Sequence, residues 1–276
     1  MRYIIIILAL ILSTIAELAT AQQSELLGVG FYDVEKLYDT IPSRFYNDKD
    51  YTPGGRLKWD SSRYRQKINH TAQVLDSMHL HVVALYGVEN EQVVRDIASE
   101  CKSDYAYIHR TNDYNKGLDF ALLYYADKFV PERVIQWSNA LYIEAVAGDT
   151  PIAIIVQNRS SSLGVLLKEQ NLCNAARKII ILGAPNKLNF QKYNLLDATA
   201  TAERAGRGNR MDNRGWQMYA RIFTNMENIV KCDVYAQGWL MTAQGTPLPT
   251  YDRMKYYGGY SQQLPVYIYF DKVFAY

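Results

Sequence analysis

The chain has 276 residues, of which 49% are hydrophobic and 21% charged, a balance that excludes disordered, collagen-like and coiled-coil classes. Thirty Lys and Arg against 28 Asp and Glu leave a net charge of +2, so any polyanion site would have to be local. There are 23 Tyr against 8 Phe, an excess suited to half-wet clefts and contact surfaces.

Met1 and Arg2 open with positive charge, Tyr3–Leu12 is almost wholly apolar, and Ala19-Thr20-Ala21 offers a small-x-small cleavage pattern. This is the pattern of a secretory signal peptide over 1–21, with maturation expected near Gln22. The apolar run is short for a membrane span of about 20 residues, and Glu17 lies just behind it. No Cys follows that would mark a lipoprotein. The expected product is exported from a bacterium, periplasmic or extracellular, with no membrane span left after cleavage. Residues 22–276 read as one domain, because no linker, repeat or low-complexity tract divides them.

Along that domain, Leu26–Tyr32 has the pattern of a strand. Tyr64, Ile68, Ala72, Leu75 and Met78 recur at helical spacing, so Ser61–Met78 is expected to be an amphipathic helix capped by Asp60 or Ser61. A buried strand follows at His81–Tyr86 and a helix at Glu91–Cys101. Short strands are expected at Tyr105–His109, Asp119–Tyr125, Ala140–Val146 and Ile152–Gln157. A helix over Leu166–Ala176 leads into a strand at Lys178–Leu182. Later strands are expected at Tyr219–Thr224, Gly238–Thr242 and Val266–Phe270. Strands alternating with helices predict a mixed α/β domain.

Several polar corners invite a chemical reading that residue spacing does not strengthen. Arg204, Arg207, Arg210 and Arg214 are interleaved with Gly206, Gly208 and Gly215; such a loop can grip a phosphate, though solvated arginines are commoner. Asn47, Asp48 and Asp50 lack the spacing and terminal Glu of a calcium loop. His70, His79, His81 and His109 show no metal-ligand spacing, nor do Cys101, Cys173 and Cys232. In an oxidising compartment three cysteines permit one disulfide and leave one thiol over.

A collinear series of corners carries the strongest signal. GFYDVEKLYDT (30–40), YTPGGRLKWDSSRYRQKI (51–68), VVALYGVENEQVV (82–94), KGLDFALLY (116–124), IIVQNRSSS (154–162), IIILGAPN (179–186), RGWQMYARIFTN (214–225) and YYGGYSQQLPVYI (256–268) together resemble exported bacterial endonuclease/exonuclease/phosphatase proteins. The resemblance implies a four-layer α/β/β/α sandwich of two mixed β-sheets, DNase I-like, with its site on the loops at one end. It also implies phosphoester hydrolysis with one or two divalent ions, usually Mg²⁺, in which carboxylates hold the metal and orient water and a His assists proton transfer.

Position by position, the family's chemical residues are replaced here. Asp33 stands where the first strand carries the Asn of a YNVEN-like motif. Gly87 stands for the leading, metal-binding Glu of EVEN. Asn158 occupies the His position of an NHWPS-like motif, and Ala184 the Asp position of GDFN. Ala220 falls at the Asp after the WN motif, and Gln262 and Gln263 at the Asp-His pair of SDH. Asp119 and Asn186 are retained, with the framework residues Gly183, Trp216, Ser261 and Pro265, and the stretch 162–178 looks shortened. Asp33, Glu89 and Asp119 are the remaining candidate carboxylates for a cation. If the strand continued past Gly87, Glu89 would share its face about 7 Å away; the family has a Glu there too, which favours a structural role.

Two functional readings follow. One is a catalytically inactive member without cofactor, an exported binding or structural module for a protein or polymer ligand, with nucleic acid disfavoured. The other is a Mg²⁺-dependent phosphodiesterase or phosphatase with a rearranged site at Asp33, Glu89 and Asp119, helped by the Arg204–Arg214 loop. A Glu restored at Gly87 is expected to fit if Gly87 faces an open cleft.

Overall fold

A computed structural model describes residues 26–111, 117–137, 139–157, 167–168, 177–183, 193–271 and 273. Two six-stranded sheets dominate it. The first contains β1 (Leu27–Leu37), β2 (Val82–Val88), β3 (Ala106–His109), β4 (Asp119–Tyr124), β13 (Ile229–Val234) and β16 (Val266–Phe270). Their order is β13-β16-β1-β2-β4-β3, with β1 and β2 parallel and every other pairing antiparallel. The second contains β5 (Phe129–Trp137), β6 (Ala140–Ala147), β7 (Thr150–Gln157), β8 (Lys178–Gly183), β9 (Leu196–Asp197) and β12 (Arg221–Thr224). It runs β5-β6-β7-β8-β12-β9, with β7 and β8 parallel.

The strands pack by the logic of their sequences. Val29 and Phe31 of β1 and Val266, Ile268 and Phe270 of β16 join Leu141, Ile143, Ile152, Ile154, Leu182 and Ile222 of the second sheet in one core. Residues alternating with these on the second sheet, among them Tyr142, Ile155, Ile179, Ile181 and Phe223, form a separate cluster on its other face. Apolar residues on both faces explain why Lys178–Gly183 is a continuous apolar run rather than an alternating one.

Two helices attach to the first sheet. Helix α1 (Ser61–Met78) starts where Asp60 accepts the Arg63 amide at 2.9 Å, and ends at His79 in the left-handed conformation. Helix α2 (Glu91–Glu100) is capped by Asn90, which accepts the Val93 amide at 3.0 Å. Ile68, Val74 and Leu75 of α1 and Val93, Val94 and Ile97 of α2 enter the core. A short helix α3 (Ala200–Arg204) precedes the hairpin β10 (Arg210–Asp212) and β11 (Gly215–Gln217); a second hairpin pairs β14 (Tyr251–Asp252) with β15 (Lys255–Tyr256).

Some expectations need correction. Gly238–Thr242 is not a strand: Gly238–Leu240 forms a 3₁₀ turn, and Met241 bridges only to Pro247. β1 runs on to Leu37, five residues past the expected end, because the chain bulges between Asp33 and Leu37 and resumes pairing with β2. The edge strands β5 and β13 are additions to the expected set. The helix expected over 166–176 lies outside the described residues except for 167–168. No described helix is long and apolar enough to cross a membrane.

Candidate functional site

Strand direction alone gathers the expected site positions. In the first sheet, parallel β1 and β2 carry Asp33 and Gly87 in their C-terminal halves, antiparallel β4 begins with Asp119 opposite Val88, and residues 261–263 lead into β16. In the second sheet, parallel β7 and β8 end at Gln157 and Gly183, and β12 begins opposite Gly183 just after Ala220. The two ends meet. Asn209, fully buried, accepts the amides of Tyr219 (2.7 Å) and Ala220 (3.1 Å) with its oxygen. Its nitrogen donates to Gln263 Oε1 and the Leu264 carbonyl, both at 3.3 Å.

Asp33 stands at the centre of this network. Its Oδ1 accepts the Glu35 amide at 2.8 Å, and its Oδ2 accepts Gln263 Nε2 at 2.5 Å. Ser261 Oγ donates to the Asp33 carbonyl at 2.7 Å and accepts the Gln263 amide at 3.1 Å, a structural reason for a serine there. Burial, opposed by the Glu35 amide, raises the Asp33 carboxyl to about 6. Gln262 donates from Nε2 to the Tyr251 carbonyl at 3.1 Å and receives Arg210 Nη2 at 3.4 Å.

Gly87 does not face an open cleft. Its φ is +93°, and a Cβ placed on it would lie 2.0 Å from the Glu35 carbonyl oxygen. Glu35, itself left-handed at φ 66°, fills that space with backbone. The open cleft on which a fitting Glu at position 87 was conditional is therefore absent at Gly87. So is the shared face of Gly87 and Glu89, because the register shifts between Tyr86 and Val88 and breaks the alternation. Gly183 is constrained in the same way, its added Cβ falling 1.6 Å from the Gln157 carbonyl.

The remaining carboxylates are engaged within the fold. Glu89 is 2% exposed; its Oε2 accepts the Asp39 amide at 2.6 Å and its Oε1 the Tyr46 hydroxyl at 2.8 Å. Burial raises it to about 7. Asp119 is fully buried, with Oδ2 3.4 Å from His109 Nε2 across β4 and β3. Among the described residues no three His, Cys, Asp or Glu side chains group as a metal site would require. Asn158, Ala184 and Asn186 lie outside the described residues.

Lys67, Glu35 and Asn209 were not anticipated. Lys67, on the buried stripe of α1, is 2% exposed and donates to Thr250 Oγ1 at 2.7 Å and to the Tyr260 carbonyl. Burial lowers its amine to about 8, opposed by the charges of Glu35 and Asp33. Glu35 is raised by burial, against the pull of Lys67, and its Oε2 has no hydrogen-bond partner. A signal for Lys67 exists in the sequence, since it falls on the same helical spacing as Thr71, Val74 and Met78. Asn209 gives no such sign.

The weaker corners resolve into structure. Arg207 pairs with Asp233 and Arg214 with Asp212, each at 2.8 Å, while Arg204 donates to Thr201 Oγ1 at 3.3 Å. Arg210 lies over the Tyr219 ring at 4.9 Å. The four arginines do not converge on one point. Asp48 accepts the Ser43 amide, and Asp50 pairs with Arg56, which makes 47–50 a polar turn. His70 stacks on Tyr260, and His81 accepts the Gly28 amide. Cys101 and Cys232 are free thiols; Cys173 lies outside the described residues.

Two predictions follow from this geometry. Gly87→Ala and Gly87→Glu should both lower the melting temperature strongly, by several degrees, because any side chain meets backbone at a left-handed position. A Gly87→Glu protein that melts with the wild type would refute the closed corner. The second concerns pH. A carboxyl raised from 3.8 to about 6 binds its proton more tightly in the folded state. Its contribution is thus fully present below pH 4 and is lost as pH rises to 6, by up to about 3 kcal/mol at roughly 1.4 kcal/mol per pKa unit. Denaturant titrations of Asp33→Asn between pH 4 and 6 should show a shallower fall than the wild type; identical slopes would contradict the assignment.

Residues 28–150 match the sequence model of the endonuclease/exonuclease/phosphatase family. No curated protein matches the sequence. Among solved structures, the mannosyl-6-phosphatase of Bacteroides thetaiotaomicron is 14% identical, with a TM-score of 0.58 over 88% of this chain and 98% of its own. A humanized TDP2 from D. rerio is 12% identical, with a TM-score of 0.59 over 90% and 99%. An endonuclease/exonuclease/phosphatase from Bacteroides vulgatus is 12% identical, with a TM-score of 0.56 over 90% and 99%. Residues 28–150 thus match the endonuclease/exonuclease/phosphatase family model, and the chain as a whole has the DNase I-like fold.

Proposed function

We propose that this chain is an exported bacterial endonuclease/exonuclease/phosphatase-like protein that has lost hydrolysis and acts as a binding module for a protein or polymer ligand. The observation that carries the reading is the closed corner at Gly87. There the Glu35 backbone occupies the space a metal-binding carboxylate would need, while both oxygens of Asp33 already accept hydrogen bonds. Glu89 is likewise committed at both oxygens. The described residues do not fit a Mg²⁺ ion. Replacement of charged ligands by amides removes the like-charge repulsion that a metal would otherwise offset; Gln263 instead donates to Asp33 and accepts from Asn209, and Gln262 donates to the Tyr251 carbonyl.

Beside the closed corner lies an open cavity of about 420 Å³, lined by Arg210, Gln262, Thr242, Gln244, Asp252 and Tyr257 among others. Its mixture of one guanidinium, one carboxylate, amides and hydroxyls suits a polar, near-neutral ligand better than a polyanion. Nucleic acid is disfavoured for the same reason, since Arg207 and Arg214 are neutralised by Asp233 and Asp212. Export rests on the leader-like segment 1–21.

The purified protein should hydrolyse neither DNA, RNA nor a generic phosphodiester with Mg²⁺, Mn²⁺ or Ca²⁺. Its melting temperature should be the same in millimolar Mg²⁺ as in EDTA. Turnover abolished by EDTA and by Asp119→Ala, or a rise of several degrees with Mg²⁺ that NaCl of equal ionic strength does not reproduce, would favour the rearranged Mg²⁺-dependent phosphodiesterase or phosphatase instead.

A further inference from the structure

Phe45 and Ile41 are 87% and 71% exposed, the highest values among the large hydrophobic side chains described. Both belong to the segment between β1 and α1, with Pro42 and Arg44 exposed between them. Nothing about this segment is loose. The Ile41 amide donates to Asp39 Oδ1 at 2.6 Å, the Ser43 amide to both Asp48 oxygens at 3.1 and 3.0 Å, and the Phe45 amide to Ser43 Oγ at 3.1 Å. At its base, Glu89 takes the Asp39 amide and the Tyr46 hydroxyl. Tyr46 packs so closely on Gly117 that a Cβ there would come 2.1 Å from its ring. Residue 45 is therefore held outward while residue 46 is held inward.

Charge is sorted in the same sense. Asp39 and Asp48 turn their oxygens to backbone amides, and Asp50 is paired with Arg56. Lys36, Arg44 and Lys49 are exposed. The exposed charges of the segment are Arg44 and Lys49, with Lys36 at the end of β1, while Asp48 is buried and Asp39 and Asp50 are half-buried. Two side chains at a tip are far less than the roughly 800 Å² per partner of a stable protein interface. Exposed Val130, Leu196 and Val230 sit in β5, β9 and β13, and Met254 in the turn between β14 and β15. A rigid apolar tip with cations at its base fits a different partner: the headgroup layer of an anionic phospholipid surface, where apolar side chains insert and basic ones face phosphate.

We propose that the segment 39–50 is a membrane-surface wedge, with Ile41 and Phe45 entering an anionic bilayer and Lys36, Arg44 and Lys49 facing its phosphates. This docking is reversible, since two side chains and three cations fall short of a permanent anchor. It is independent of whether the neighbouring site is active.

The test uses the full chain with 100 nm vesicles of phosphatidylglycerol and phosphatidylcholine in equal parts, and of phosphatidylcholine alone. In a Phe45→Trp variant, emission should shift to the blue and be quenched by brominated lipid only with the anionic vesicles. Ile41→Ser/Phe45→Ser and Arg44→Glu should each weaken co-sedimentation about tenfold while melting with the wild type, and added salt should weaken binding of the wild type. Unchanged emission, or equal co-sedimentation of wild type and the double serine variant, would overturn the proposal, because any binding would then come from another part of the chain. A concentration-dependent dimer in sedimentation velocity that the double serine variant abolishes would also overturn it, assigning the tip to self-association.

Discussion

The amide of Asn209 spans the two sheets where their strands end, and the arrangement of the site depends on it. One oxygen holds the start of β12 through the Tyr219 and Ala220 amides, and one nitrogen holds the approach to β16 through Gln263 and Leu264. Gln263 in turn reaches Asp33 on β1. A buried amide pays its desolvation only when its donors and acceptors are met, and here the partners lie on both sheets. The carboxylate that remains is bound by this chain of neutral groups rather than by a counter-ion.

Below it, burial acts on Asp33, Glu35 and Lys67 at once. The two carboxyls are raised and the amine lowered, each toward its neutral form, while their mutual attraction opposes the shift. Such a cluster places no open, charged donor set at the surface. It leaves Arg210 and Gln262 to line the neighbouring cavity, with Arg210 steadied over Tyr219.

Much of this was legible in the residues. The apolar runs at His81–Tyr86 and Lys178–Leu182 and the helical spacing of Ser61–Met78 correspond to observed elements because burial on both faces, or on one stripe, leaves a periodic trace. Edge strands leave less. In β5, Pro131, Glu132 and Arg133 interrupt the apolar pattern because an edge has no second neighbour to satisfy. At the site, the motif series brought Asp33, Gly87, Asp119, Ala220 and Gln262 to one end. It could not reveal that the backbone at Gly87 is left-handed and filled by Glu35, since that depends on the bulge after Asp33. Asn209 was invisible for a related reason: its partners are about 10 residues away on one side and more than 50 on the other.

We propose that the corner at Gly87 is closed to a metal ion by backbone and amides. Crystals equilibrated with millimolar Mn²⁺ and measured for anomalous scattering test it most directly. A closed corner gives no anomalous peak among Asp33, Gly87, Asp119 and Gln263, and leaves the Glu35 carbonyl in place beside Gly87. A well-occupied peak within about 2.5 Å of an Asp33 or Asp119 carboxylate oxygen, with Gln263 displaced, would contradict it.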